Sequence, residues 1–99
     1  MLTKRQQQLY DAFYESTHKN EHLDQKTEIL VGLSAAMAMN CAPCARYYLK
    51  QAKHAKISTG EISEVLAKVM AVAAGQKRLQ LQEVIEVYSI DLEAYDQNL

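Results

Sequence analysis

The chain has 99 residues, the size of one domain, and its charge and composition exclude several classes of protein. The 11 basic and 12 acidic residues are scattered and give a net charge of -1, so no positive field is available to hold nucleic acid. The longest uncharged apolar stretch, Ile29 to Met39, is about half the length that crosses a bilayer, so we expect no membrane span. No apolar run follows the charged first residues, so we also expect no secretory signal and a cytoplasmic protein.

The residue usage predicts helices throughout. Only 1 proline and 3 glycines interrupt a chain rich in Ala, Leu, Gln, Glu and Lys, which lose little conformational freedom in a helix. No repeat, linker or low-complexity tract divides the sequence. We therefore expect a single domain over residues 1–99, folded all-α as a compact bundle of about five helices with short connections.

The first helix is predicted by a capping box, in which Thr3 and Gln6 satisfy backbone groups at the helix start. Apolar side chains then recur at helical spacing on one face, at Leu9, Tyr10, Phe13 and Tyr14. The polar residues 19–21 are expected to end this helix.

A second helix is predicted to start at Asp24, which is a good N-terminal cap. Its apolar face is formed by Ile29, Leu30, Leu33, Ala36 and Met37. The opposite face is also small or apolar, so the helix requires cover on all sides. Two interpretations stay open: the helix is the centre of the core, or part of it meets another subunit.

Three further helices complete the expected bundle. Pro43 suits the first position of a helix over residues 41–55, because its fixed φ matches the helix and its missing donor costs nothing there. Ser58 and Glu61 form a second capping box that predicts a fourth helix, ended by Gly75. A final helix is predicted from the apolar series Leu81, Val84, Ile85, Tyr88, Leu92 and Tyr95.

The two cysteines carry the clearest chemical signal. Cys41 and Cys44 lie three positions apart at a predicted helix start, and three residues advance a helix by roughly 300° and about 4.5 Å. The two sulfurs therefore share nearly one face, and a disulfide between them is feasible. The positive end of the helix stabilises a thiolate, which is the form that attacks peroxides and disulfides. A sulfenic acid on one sulfur would condense with the other thiol to a disulfide that an external reductant reopens.

Two other interpretations of the cysteines are weaker. A structural zinc takes four ligands, and beyond the cysteines the chain offers only His18, His22 and His54, without a recognisable second pair. We therefore expect no metal and no other cofactor. The second alternative, buried and inert cysteine in helix packing, stays open.

The stretch from Leu23 to Gly75 resembles the alkyl hydroperoxidase D and carboxymuconolactone decarboxylase family. The similarity lies in the helix opening LDQKT, the alanine-rich run that ends in Asn40, the turn CAPC, and the helix opening at Glu61. The resemblance implies an all-helical fold and homo-oligomers, often trimers or hexamers. In members that have the cysteine pair, it implies thiol-dependent reduction of peroxides.

The chain departs from this family at two positions. The resemblance implies a glutamate twelve residues before the first cysteine and a histidine four after the second, which relay protons to the sulfur; here they are Ile29 and Tyr48. Glu28 is one residue away, but one step turns a side chain by about 100°, so we expect it to point elsewhere. The Tyr48 hydroxyl is able to hydrogen-bond a thiolate, although its ordinary pKa near 10 makes it a poor base. The alternative role for Tyr48 is packing. Tyr47 is an equal structural alternative to Tyr48.

Other charged groups lie near the pair in sequence. Arg46 and Lys50 are able to lower a thiol pKa by their charge, although solvation on an exposed face is their expected state. His54 lies about 15 Å along the same helix from Cys44, too far to act within one chain. His18 and His22 fall near the loop before helix two, and we expect all three histidines at the surface.

These observations favour a thiol-dependent antioxidant oxidoreductase that reduces a hydroperoxide or disulfide with electrons from a thiol reductant. The candidate catalytic residues are Cys41, Cys44 and Tyr48. The resemblance implies that Cys44 attacks, whereas helix geometry favours Cys41. Losing an acid-base group costs about 10² to 10⁴ in rate, so we expect weak peroxidase activity. A non-catalytic oligomeric scaffold or redox-sensing adaptor is the alternative. Lactone decarboxylation rests on the family name alone, because no constellation for a dicarboxylic substrate is visible.

Overall fold

The computed structural model describes residues 1–98, with side chains described through residue 96. Over these residues the chain forms four α-helices and a closing 3₁₀ helix, without strands. The helices are α1 (Lys4–Ser16), α2 (Gln25–Ala38), α3 (Ala42–His54) and α4 (Thr59–Val87), followed by the 3₁₀ helix Leu92–Asn98. The all-α expectation is confirmed.

The predicted helix starts are confirmed by their caps. The pairs are Thr3 with Gln6 for α1, Asp24 with Thr27 for α2, and Ser58 with Glu61 for α4. The carboxylate of Asp24 accepts a hydrogen bond from a backbone N–H at 2.7 Å, and this bond lowers the pKa of Asp24. Helix starts were predictable because a cap depends on residues only three positions apart.

The turns after α2 and α3 are short and lead straight into the next helix. Asn40 adopts a left-handed φ of 57°, and the N–H of Cys41 then donates to the carbonyl of Ala36 at 2.9 Å. Lys56 does the same after α3, with a φ of 59°. Each left-handed residue satisfies the last carbonyls of one helix and is followed within two residues by the cap of the next. This turn places Cys41 at the N-cap of α3.

The expected break at Gly75 is wrong. Helix α4 continues through Gly75 to Val87, so the predicted fourth and fifth helices are one helix of 29 residues, about 44 Å long. A glycine inside a helix costs only about 1 kcal/mol relative to alanine, and no proline or new cap follows it here. The helix ends instead at Tyr88, after which Ser89 takes a left-handed φ of 52°.

Helix α2 is the centre of the fold. It packs against α3 and α4, and it supplies Ile29, Leu33 and Ala36 to a core that Ala52 of α3 completes. An ion pair between Lys26 and Glu61 also joins the starts of α2 and α4. One face of α2 therefore forms the centre of the core, whereas Val31, Ala35 and Ala38 on the rest of the helix are exposed, so its contact with another subunit stays a prediction.

The expectation of a compact bundle is wrong. The radius of gyration is 20.1 Å, whereas a compact chain of this length has about 13 Å. The reason is that α1 and the second half of α4 leave their apolar side chains uncovered. Large exposed apolar side chains include Leu9, Tyr10, Phe13, Met70, Val72, Leu79, Leu81, Val87 and Tyr88. Within residues 1–98, no helix combines the length and apolar character that a membrane crossing requires.

Candidate redox site

Cys41 and Cys44 are joined by a disulfide in the first turn of α3. Their Cα atoms lie 5.2 Å apart, a normal separation for a disulfide. The expectation that the two sulfurs are able to bond is confirmed. Cys44 belongs to the exposed residues and Cys41 is half-buried, so Cys44 is the more exposed residue of the pair.

The start of α3 surrounds Cys41 with backbone donors. Cys41 is the N-cap, and its Sγ accepts a hydrogen bond from the backbone N–H of Cys44 at 3.3 Å. Pro43 stands at the second helical position, one place later than expected, because Ala42 opens the helix. Unpaired N–H groups and the positive end of the helix dipole both favour negative charge on a sulfur here.

Tyr48 lies one helical turn beyond Cys44 and packs on α2 at Gly32. A Cβ atom at Gly32 would lie 2.2 Å from Cε1 of Tyr48, so only glycine admits the ring at this position. The ring of Tyr47 meets that of Tyr48 edge-on at 5.0 Å. Burial and the charge of Glu28 raise the pKa of Tyr48, and burial also raises the pKa of Tyr47. Both hydroxyls are therefore protonated at neutral pH and are able to donate.

His18 and Glu28 form a pair that the sequence did not indicate. His18 Nδ1 lies 3.4 Å from Oε1 of Glu28, and the side chains are only 20% and 17% exposed. The expectation of a surface His18 is therefore wrong, because the rings of Tyr14 and Tyr47 cover it at 4.8 and 5.5 Å. Glu28 does not lie in the place of the family glutamate, but it faces this histidine. The only sequence signal was weak: Tyr14 and His18 lie four positions apart, as neighbours on a helix do.

The two departures from the family pattern have different surroundings. Ile29 is 2% exposed in the core, so the position of the family glutamate is filled by a hydrocarbon side chain. It has no acid-base role. Tyr48 retains a polar hydroxyl at the position of the family histidine, next to the His18–Glu28 pair.

Two cavities flank Tyr47. One of about 440 Å³ is lined by Ala42, Pro43, Arg46, Tyr47 and Lys50, so it lies beside the cysteine turn and carries two cations. The other, of about 390 Å³, lies on the side of His18 and Glu28. His22 and His54 are exposed and line neither cavity. Among the described residues, no three side chains of His, Cys, Asp or Glu lie together as a metal site would require.

Comparison with known proteins agrees with this architecture. The sequence profile of the carboxymuconolactone decarboxylase family matches residues 6–88, so the chain belongs to that family. The match extends beyond the stretch that first suggested the resemblance. A crystal structure of a protein from Methanobacterium thermoautotrophicum, determined by structural genomics, superposes with a TM-score of 0.72 at 22% identity. The similarity covers 78% of this chain and 86% of the other, and it supports the fold. No curated protein matches the sequence.

Proposed function

We propose that this protein is a thiol-dependent oxidoreductase that reduces hydroperoxides or disulfides through Cys41 and Cys44. The observation that carries the proposal is the Cys41–Cys44 disulfide at the start of α3, in which Cys44 is an exposed residue. Family membership supports a redox role for such a pair, since the family includes enzymes. The physiological setting that we propose is the cytoplasm, where a protein or small dithiol supplies the electrons.

The cycle needs no bound cofactor. A cysteine thiol loses its proton, and its sulfur attacks the outer oxygen of a hydroperoxide. The O–O bond breaks, the sulfur becomes a sulfenic acid, and the alkoxide takes up a proton to leave as an alcohol. The second thiol then displaces water from the sulfenic acid to form the disulfide. An external dithiol reduces this disulfide and is itself oxidised.

The two sulfurs have different advantages in this cycle. Cys44 is the more exposed, which favours it as the attacking sulfur. Cys41 accepts the helix N–H bond, which favours it as the stable thiolate that leaves when the disulfide is reopened. We assign attack to Cys44 and resolution to Cys41. Tyr48, one turn beyond Cys44, serves as a hydrogen-bond donor to the attacking sulfur.

The active form that we propose is a homo-oligomer, a trimer or a hexamer. The exposed apolar faces of α1 and α4 support this, because a soluble monomer rarely leaves apolar surface of that extent in water. Family proteins often assemble in this way. A second copy packed on these faces would provide the cover that this chain lacks.

Turnover with a dithiol donor tests the enzyme proposal. We expect purified protein to consume an alkyl hydroperoxide or a model disulfide faster than the Cys41→Ser, Cys44→Ser double variant does. Because Ile29 replaces an acid-base group, we expect peroxide turnover about 10² to 10⁴ below that of relatives with the full relay. Equal rates for the wild type and the double variant, with both substrates, would refute the proposal.

A redox-sensing adaptor is the second candidate. The observation that favours it is the hydrocarbon side chain of Ile29, buried where the family glutamate would stand. An adaptor needs a disulfide that forms, but it does not need fast attack on a peroxide. Its thiols would then titrate near the ordinary cysteine pKa of about 8.5, whereas a catalyst requires a lower value. The dependence of alkylation rate on pH separates the two.

A further inference from the structure

The two ring nitrogens of His18 have different surroundings. Nδ1 faces the carboxylate of Glu28 at 3.4 Å, whereas Nε2 is buried and has no hydrogen-bond partner among the residues that the structure describes. A carboxylate only accepts hydrogen bonds, so Nδ1 carries the proton in the neutral ring and Nε2 presents a lone pair. The structure therefore contains a carboxylate–imidazole pair in which the buried Nε2 of His18 is able to accept a proton.

The ring of Tyr14 from α1 lies nearest to His18, at 4.8 Å, and two further hydroxyl donors come from α3, the helix that carries the cysteines. The ring centres of Tyr47 and Tyr48 lie 5.5 and 6.5 Å from that of His18. Tyr48 is the more buried of the two, and Gly32 leaves its ring room against α2. Side chains on a helix lean toward its N-terminus, so Tyr48 leans over the turn that contains Cys44. We infer from this placement the order Cys44, Tyr48, His18 and Glu28, in which His18 comes from the turn after α1.

We propose that His18, fixed by Glu28, takes up and returns the proton of the attacking thiol through the hydroxyl of Tyr48. His18 does not touch the substrate in this scheme and is a positioning residue. The proposal rests on the oxidoreductase function above and deepens it, because it assigns proton transfer to residues outside the family's positions.

The proton balance is closed within these groups. When Cys44 reacts, its S–H proton passes to the Tyr48 oxygen while the Tyr48 proton passes to Nε2 of His18. The imidazolium is then paired with the Glu28 carboxylate. The sulfur forms its bond to the peroxide oxygen, the O–O bond breaks, and the alkoxide takes the proton back along the same path. A thiol and a hydroperoxide thus give a sulfenic acid and an alcohol, with no net charge moved.

Titratable groups from every neighbouring segment face this histidine. They are Tyr14 from α1, Lys19 from the following turn, Glu28 from α2, and Tyr47 and Tyr48 from α3. Glu28 is the only carboxylate among these, so it is the group that compensates a positive imidazolium. Hydrogen bonds of this kind are often long before substrate binds, which accounts for the open Tyr48–His18 gap in the oxidised protein.

Alkylation of Cys44 tests the proposal without any peroxide. The Cys41→Ser variant leaves Cys44 as the sole thiol, and its reaction with neutral iodoacetamide is followed against pH. In this background we expect His18→Gln and Tyr48→Phe each to raise the midpoint of the curve and to slow alkylation at neutral pH by about threefold to tenfold. Tyr48→Phe keeps the ring and its packing on Gly32, so it separates proton transfer from folding. The control is His54→Gln, because His54 lies on α3 with Cys44 and Tyr48 but is exposed.

Curves for His18→Gln and Tyr48→Phe that coincide with the His54→Gln control would overturn the proposal. So would a shift for His18→Gln that Tyr48→Phe fails to reproduce, because the proton path would then not pass through that hydroxyl. The assay requires no turnover, so the wild type's failure to reduce both a peroxide and a model disulfide would refute the oxidoreductase function and leave the alkylation curves to judge His18 separately.

Discussion

At the scale of single residues, two side-chain features define the site. The sulfur of Cys41 accepts a backbone hydrogen bond, and the ring of Tyr48 occupies space that exists only because residue 32 is glycine. The first feature polarises the cysteine pair. The second fixes a hydroxyl one turn away from it. A single added carbon at Gly32 would disturb the second without touching either sulfur.

Gly32→Ala is expected to destabilise the protein, although alanine is normally the better helix former by about 0.5–1 kcal/mol. The Cβ would meet the ring of Tyr48 at 2.2–2.7 Å, and the ring must move. We expect a net loss of about 1–3 kcal/mol in the free energy of unfolding, measured by urea denaturation.

Gly75→Ala is the matched control, since a Cβ there meets nothing within 4 Å. This substitution is expected to stabilise by about 0.5–1 kcal/mol. Equal effects of the two alanines would contradict the close packing of Tyr48 on Gly32.

At the scale of helices, the start of α3 is the functional element. Its dipole and free N–H groups act on the first turn only, and the turn at Asn40 delivers Cys41 to that place. Cys44 lies three residues further in, at the end of the first turn, and gains less from the same groups. The two thiols should therefore differ in pKa, with Cys41 the lower.

Single serine variants measure this difference. In Cys44→Ser the remaining Cys41 keeps the backbone N–H donor of residue 44, so its thiol pKa is expected below the ordinary value of about 8.5. We expect the Cys41→Ser variant to show a higher thiol pKa for Cys44. Alkylation rate against pH gives both values, and a lower pKa for Cys44 than for Cys41 would contradict the stabilisation of the Cys41 thiolate by the start of α3.

The helices were predictable where local chemistry decides and unpredictable where it does not. The helix starts at Thr3, Asp24 and Ser58 were predictable because each cap joins a residue to one three positions later. The continuation through Gly75 was missed because a helix tolerates a glycine when good helix formers flank it. The left-handed φ of Lys56 was not predictable from the sequence, since lysine rarely adopts this conformation.

The candidate site divides in the same way. Cys41 and Cys44 were visible because their spacing is local, and the structure joins them. The His18–Glu28 pair was not, because it connects the turn after α1 with α2 across ten residues. No periodicity specifies how that turn folds back, so the contact is set by tertiary packing.

At the scale of the whole molecule, the chain buries little of its apolar surface. Among the side chains described, four form the buried core, Ile29, Leu33, Ala36 and Ala52, while the dimensions reach 58 × 41 × 24 Å. Helix α1 and the outer half of α4 present apolar faces to water. The proposed oligomer would cover those faces with other copies of the chain.

Light scattering is expected to give a mass of three or six times the 11.2 kDa chain. Leu79→Glu places a charge on an apolar side chain that is 68% exposed, and we expect this variant to shift the mass toward the monomer. Gln80→Glu adds the same charge at the next position and should leave the assembly intact. A wild type that elutes and scatters as a monomer would contradict the proposed oligomer.

Thiol counting after one addition of hydroperoxide tests the redox role most directly. The reduced chain has 2 thiols, and trypsin releases both on one peptide, residues 27–46. We expect one equivalent of hydroperoxide to remove both thiols and leave that peptide lighter by two hydrogens, as an intrachain disulfide requires, with full recovery after dithiol treatment. Persistence of both thiols, or sulfur bonds only between different chains, would contradict a peroxide-reducing role for the cysteine pair.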